Sequence, residues 1–186
     1  MMTTTLRQIL PATLIADRVL LRSLTERDVP SMVNLANNKK IAEMLSRLPH
    51  PYTAADAKAF IADIADSPGE RAWAIARRDD QRLMGVVGVM FSPEQPPEIG
   101  YWLGEAYWRQ GFAAEALSTL VAYLDATGRC PTIIARTRQD NTASIGLLEK
   151  MGFELGKTVE GEGGRFDGVP LNLYERASLS EAVVHG

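Results

Sequence analysis

One cysteine, Cys130, and two histidines, His50 and His185, are all that the 186 residues offer toward disulfide, zinc or serine-hydrolase chemistry. A lone cysteine excludes an internal disulfide, and three such side chains give neither a metal-ligand spacing nor a Ser-His-Asp set, so no metal is expected. Cys130 precedes an apolar, strand-like run, which favours a structural role over a reactive thiol. Long runs of one charge are also missing. The 20 basic and 23 acidic residues are interspersed and sum to a formal net charge of -3, so nothing suits a nucleic-acid backbone and nucleic acid is not an expected partner. Apolar runs such as 83–91 fall far short of the ~20 residues of a spanning helix, and no basic segment followed by a hydrophobic one opens the chain. A cytoplasmic protein without membrane contact is the reading.

What is present is ordinary globular material: 46% apolar and 23% charged residues in a length that suits one domain. Residues 1–13 show no periodicity and read as a mobile N-terminal arm; 14–176 read as the domain and 177–186 as a C-terminal tail. Val19, Leu20 and Leu21 begin the strands. Thr25 with Asp28, and Thr53 with Asp56, have capping-box spacing ahead of helical periodicity at Val29, Met32, Val33 and Ala36 and at Ala57, Phe60, Ile61 and Ile64. Alternating bulk at Trp73 and Ile75, a turn at Asp79-Asp80 and the run 83–91 predict a hairpin, and 98–103 a fourth strand. A helix through Ala113, Leu117, Leu120, Val121 and Leu124 stops at Gly128; 132–137 is a fifth strand; Asn141 can cap a helix that Gly152 ends. Strands at 153–160 and 169–176 complete a mixed α/β (α+β) domain without repeats or a dividing linker.

The segment Tyr107-Trp-Arg-Gln-Gly-Phe-Ala113 joins a strand to a helix, where free N–H groups and the positive end of the helix dipole can hold a phosphate. Gly111 and Ala113 are small enough for a close approach and Arg109 could add a cation, although a glycine before a helix is more often a plain turn residue.

Three segments in order, Glu98-Ile-Gly-Tyr-Trp-Leu, Tyr107-Trp-Arg-Gln-Gly-Phe-Ala-Ala-Glu-Ala and Asn141-Thr-Ala-Ser-Ile-Gly-Leu-Leu-Glu-Lys-Met-Gly-Phe153, resemble successive signatures of GNAT-superfamily N-acetyltransferases. With Asp17-Arg-Val-Leu-Leu-Arg22 the likeness extends over about Leu14 to Arg176 and is nearest to the ribosomal-protein-alanine N-acetyltransferase branch. The resemblance implies a mostly antiparallel sheet of about seven strands flanked by about four helices and splayed between the fourth and fifth strands. It implies acetyl-CoA as co-substrate, its pantetheine arm pairing with Tyr101, Trp102 and Leu103, its pyrophosphate on Arg109, Gln110, Gly111, Phe112, Ala113 and Ala114, and contacts from Asn141 and Ser144. Without it, Asn141 is a helix cap and Ser144 a solvated helix position. The chain departs from the superfamily pattern at Trp108, where Gln or Arg often opens the phosphate loop, and at Leu148, where a tyrosine commonly protonates the leaving thiolate; Ser144 or a bound water is left as the candidate acid.

Glu98, at the start of the fourth strand, can take a proton from an ammonium substrate or be an ordinary edge charge. The expected activity is direct acetyl transfer to a primary amine, with a protein N-terminal α-amine one acceptor and a small-molecule amine another. A noncatalytic acyl-CoA-binding module, as monomer or homodimer like the enzyme, is the reading from a different class. Arg165, Asp167 and Gly168 lie in a turn or an acceptor-side loop.

Overall fold

The computed structural model describes residues 6–179. Alternating apolar positions and tight turns give strands β1 (Thr13–Ile15), β2 (Val19–Arg22), β3 (Glu70–Arg77), β4 (Leu83–Ser92), β5 (Gln95–Leu103), β6 (Thr132–Arg138), β7 (Glu154–Glu160) and β8 (Pro170–Ala177). The helices are α1 (Leu6–Ile9), α2 (Val29–Ala36), α3 (Lys39–Ala42), α4 (Ala54–Asp66), α5 (Phe112–Ala126) and α6 (Thr142–Lys150). One sheet holds all eight strands in the order β1-β2-β3-β4-β5-β6-β8-β7. Every neighbouring pair is antiparallel except β5 and β6, which are parallel and joined through α5.

The two-residue period of the strands sorts side chains between two layers. Trp73, Ile75, Val87, Ile99 and Leu103 point to one face and pack with Leu117, Leu120 and Leu124 of α5 and Leu148 of α6. Ala74 and Leu83 point to the other and meet Met32, Ala36, Tyr52 and Ala57, while Ala72 and Val86 meet Ile64. Local signals agree with this packing. Asp56 accepts the Thr53 N–H at 2.8 Å and returns its own N–H to Thr53 Oγ1 at 3.3 Å, closing the capping box of α4. Gly128 and Gly152 take positive φ (+61° and +82°) where α5 and α6 end, which costs a residue without Cβ little.

The structure corrects the expected boundaries. The segment read as a mobile arm is tied down from Leu6 onward: Arg7 donates to the carbonyls of Ala65 and Glu70, both at 3.2 Å, Trp73 Nε1 donates to Pro11 at 3.0 Å, and Tyr123 Oη to Ile9 at 2.9 Å. Leu10 is buried. Such a short segment shows no periodicity, because side chains from distant elements satisfy its backbone. Residues 1–5 lie outside the described part. At the other end Ala177 still pairs with Thr132, and the buried Ser178 donates its N–H to Pro131 at 2.9 Å. The tail residues 180–186 lie outside the described part. The four longer helices are those expected; β1 and the four-residue α1 and α3 are additional, giving eight strands and six helices among the described residues.

A buried ion pair locks the far end of this frame. Arg176 on β8 forks onto Asp125 near the end of α5, with both N–O distances 2.9 Å, and its Nε donates to Met151 after α6 at 3.2 Å. Removing the carboxylate strands a guanidinium in the interior, so Asp125→Ala is expected to lose about 3–5 kcal/mol of stability. Urea unfolding should show it as a lower midpoint with an unchanged slope.

Candidate active site

Strands β5 and β6 pair only at Glu98 and Ile134 and diverge beyond that point. The register of β5 on β4 is continuous from Glu98 to Leu103, and Gly104 N–H donates to Met84 at 2.8 Å. In an antiparallel ladder alternate residues bond to the same neighbour. Residues 100 and 102 therefore face β4 with residue 104, while Tyr101 and Leu103 turn their main-chain groups toward the gap. The Leu103 carbonyl is already taken by Trp108 Nε1 at 2.6 Å, and its side chain is core. That leaves the main-chain N–H and C=O of Tyr101 and the N–H of Leu103 turned toward the gap.

The chain leaves β5 through a turn at Glu105–Tyr107 and enters α5 by way of two left-handed residues, Arg109 (φ +59°) and Gly111 (φ +84°). Only glycine takes the second conformation without strain. A side chain on Gly111 would also meet Arg18 Nη2 at 3.1 Å. The first hydrogen bond of α5 runs from Glu115 N–H to the Gly111 carbonyl, so the N–H groups of Phe112, Ala113 and Ala114 have no partner inside the helix. Arg109, Gln110 and Gly111 are exposed beside them. Two braces hold the loop. Arg18 donates to the Gln110 carbonyl at 3.0 Å and stacks 4.7 Å from the Phe112 ring centre. Glu105 accepts from Asn38 at 2.7 Å and from Lys40 at 2.5 Å, tying the turn to α3.

On the α2/α4 face of the sheet, the Glu98 carboxylate pairs with Arg136 of β6, whose other amino group donates to Gln95 at 2.7 Å. The carboxyl group is mostly buried, and burial pushes its pKa above the usual glutamate range against the lowering effect of Arg136 and Arg47. Trp102 lies on this same face, against Ile64 and Val86.

On the opposite face Tyr101 Oη donates to Ser144 Oγ at 3.1 Å, linking the strand to the first turn of α6. Burial raises the phenol pKa, more than the bond to Ser144 lowers it. Asn141 spends its side-chain oxygen on the Ser144 N–H at 3.2 Å, so the helix-cap reading holds for that atom. Leu148 is 1% exposed within the core. That site is packed within the core and carries no hydroxyl.

The structure thus joins Tyr101, Ser144 and Asn141 on the α5/α6 face beside the split, puts Glu98 at the last β5–β6 pair on the other face, and leaves the loop 109–114 at the start of α5. Leu103 can offer the gap only a main-chain N–H, and Trp102 turns its main chain to β4 and its side chain to the α2/α4 face. Sequence reading missed Arg18, Glu115 and Arg136, which act across 92 or more residues or between separate strands and carry no local signal. The Tyr101 hydroxyl was missed too, because only the fold brings it to Ser144. The loop at 165–168 proves to be docked: Arg165 donates its N–H to Ser46 at 2.9 Å and a guanidinium N–H to Leu48 at 3.3 Å.

An acetyltransferase (GNAT) domain model matches residues 18–154, which include the split strands, the loop and α6. The chain belongs to the GNAT acetyltransferase family. Among its relatives, the uncharacterized N-acetyltransferase YoaA of Bacillus subtilis is 32% identical over 143 residues, covering 74% of this chain and 80% of YoaA. The ribosomal-protein-serine acetyltransferase of Escherichia coli is 32% identical over 104 residues, covering 52% of this chain and 56% of that protein. RimL, a ribosomal α-N-protein acetyltransferase solved with coenzyme A, superposes with a TM-score of 0.77 over 90% of this chain and 99% of RimL at 20% identity, a likeness of fold. This GNAT protein is an acetyl-CoA-dependent N-acetyltransferase, similar to the ribosomal-protein acetyltransferases. No helix among the described residues is long and apolar enough to cross a membrane.

Glu115 connects the loop to the sheet: its carboxylate accepts from the N–H groups of Arg18 (2.6 Å) and Val19 (3.1 Å) and from Arg18 Nε (2.9 Å). Burial raises its pKa, but those donors win and hold it below the ordinary value. The contribution is therefore complete above the unfolded-state pKa of ~4.3 and fades as pH falls through the depressed folded value. Glu115→Ala leaves the N–H of fully buried Val19 unpaired and should lose about 1–3 kcal/mol at neutral pH, with a smaller deficit at low pH, in denaturant titrations.

Proposed function

We propose that this enzyme transfers acetyl directly to a primary amine, with a protein N-terminal α-amine as the acceptor. The observation that supports it is the single opening between β5 and β6, with a carboxylate on one face and a hydroxyl pair on the other.

The donor's pantetheine arm fits the gap because Tyr101 offers main-chain groups without a strand partner there. Its pyrophosphate fits the loop 109–114, where free N–H groups of a 15-residue helix converge with the exposed Arg109. Asn141 and Ser144 form the far wall. Acetyl-CoA supplies an acyl group already activated as a thioester. Glu98 faces the α2/α4 side, from which the amine enters, and a carboxylate with a raised pKa is a better proton acceptor than an ordinary glutamate. An α-amine asks little of it, since ~10–15% is neutral at pH 7 against ~0.04% of a lysine amine. The acceptors named for the ribosomal-protein-serine enzyme and for RimL point the same way. Direct transfer also fits Cys130, which is buried with its pKa raised by burial and so is a poor nucleophile for an acyl-enzyme.

Peptides beginning with Ala, Ser or Met, assayed beside polyamines and aminoglycosides for thiol release, test the acceptor. Preference for polyamines or aminoglycosides over every peptide would sink the N-terminal reading.

Coenzyme A at one hundred times its dissociation constant should stabilise the fold by ~2.7 kcal/mol. Gly111→Glu should abolish the shift by forcing a side chain into a left-handed residue and adding charge to the phosphate loop. Normal coenzyme A binding by that variant would remove the phosphate from this loop.

Glu98→Gln should lower turnover more than donor affinity. Because its pKa is raised, the wild-type rate should climb with pH through a window above the normal glutamate range. The variant should lose that limb and keep the one belonging to the amine. An unchanged pH profile would make Glu98 structural.

A further inference from the structure

Leu148 is buried and has no hydroxyl to offer a leaving sulfur, yet a phenol reaches the first turn of α6 from the strand. Tyr101 lies on β5 one residue-pair period from Ile99, whose side chain is core, and three residues past the last contact with β6. Its hydroxyl donates to Ser144 Oγ across 43 residues of sequence. A serine hydroxyl has one hydrogen, and with a lone pair occupied by Tyr101 and the Ser144 N–H committed to Asn141, that hydrogen is free to be directed elsewhere. Serine alone is a poor acid, since giving up its proton would leave an alkoxide beside the departing thiolate. A phenol behind it removes that difficulty.

We propose that Tyr101 is a positioning residue that orients Ser144 and replaces the proton Ser144 gives to the leaving sulfur. The inference rests on the acetyl-transfer reading above. In the step, the amine nitrogen bonds to the acyl carbon and the C–S bond breaks, its electron pair going to sulfur. The nitrogen loses a proton to Glu98. Sulfur takes the Ser144 proton as Tyr101 Oη passes its own to Ser144 Oγ, and Tyr101 is reprotonated by water while Glu98 returns its proton to solvent. One proton enters, one leaves, and no redox change occurs. A phenol is protonated at neutral pH, and burial, which raises its pKa, leaves Tyr101 in that form.

The test separates proton supply from shape by changing only the basicity of the leaving atom. Wild type, Tyr101→Phe and Ser144→Ala are assayed with acetyl-CoA and with its selenoester analogue, whose more acidic selenol departs without a proton, using the best acceptor of the amine panel and reading acetylated amine by mass. With acetyl-CoA both variants should lose about tenfold or more in kcat with the donor KM within about twofold, and the double variant should be no slower than the worse single one. With the selenoester both should return to near the wild-type rate. Equal losses with both donors would overturn the proposal and make the bond a structural strut, as would full turnover of Tyr101→Phe with acetyl-CoA. A loss confined to donor KM would make the pair a binding contact only. If the wild type acetylates no amine in the panel from either donor, the acetyl-transfer reading falls, and this inference with it, an outcome distinct from unselective losses in the variants.

Discussion

Two parallel strands that touch at one residue pair, Glu98 and Ile134, set the geometry on which the rest of the site depends. A parallel pair needs a crossover, and α5 supplies it, packing Leu117, Leu120 and Leu124 onto one face of the sheet. The crossover delivers the helix N-terminus and its unpaired N–H groups to the end of the strand where the gap widens. Were β5 and β6 paired along their length, Tyr101 would spend its main-chain groups on the ladder, and the sheet would offer no passage between its faces. The opening and the loop 109–114 are thus two consequences of one connection.

The gap also explains how two polar clusters coexist in a sheet that is otherwise packed. Glu98 and Arg136 sit beside the point of contact on the α2/α4 face, where the strands are close enough for an ion pair. Tyr101 and Ser144 sit beyond it on the α5/α6 face, where the wall opposite the strand is a helix. The period of two in β5 requires this division: residues 98 and 101 differ by an odd number, so their side chains leave opposite faces. On the proposed reading, a donor and an acceptor would enter from opposite sides and meet in the gap without sharing an entrance. Burial raises both pKa values, but to different effect: a carboxyl group becomes a better base, whereas a phenol becomes more firmly protonated.

What sequence disclosed and what it hid divide along the same physical line. The capping box at Thr53, the glycine stops at 128 and 152, and the two-residue period of β3 are local effects, and each is found where its residues predict. The loop from Arg109 to Ala114 and the helix at Asn141 were legible because close backbone approach and capping need particular residue types at particular spacings. Contacts made by long side chains across the fold left no such trace. Arg7, Arg18 and Glu115 are ordinary charges in sequence; only tertiary structure shows one satisfying the carbonyls beside α4 and the other two joining β2 to the loop before α5. The short β1 and the α1 turn were overlooked for a related reason, since three or four residues define no period and draw their order from neighbours.

The filled position at Leu148 then has a structural logic of its own. Its side chain is almost wholly enclosed in the cluster that contains Leu117, Leu120 and Ile133, so a larger, polar replacement would overpack the core and bury a hydroxyl without a partner. The side chain stabilises the seat of α6 on the sheet, and that seat fixes Ser144 one turn earlier on the same helix. A donor on β5 is held differently: the strand is paired to β4 on both sides of Tyr101, at Gly100 with Gly88 and Trp102 with Val86. The hydroxyl therefore projects from a rigid wall while the serine projects from a helix anchored by leucine. Of the two sides of this hydrogen bond, α6 contributes a packed base and the serine oxygen that accepts, and the strand contributes the phenol that donates.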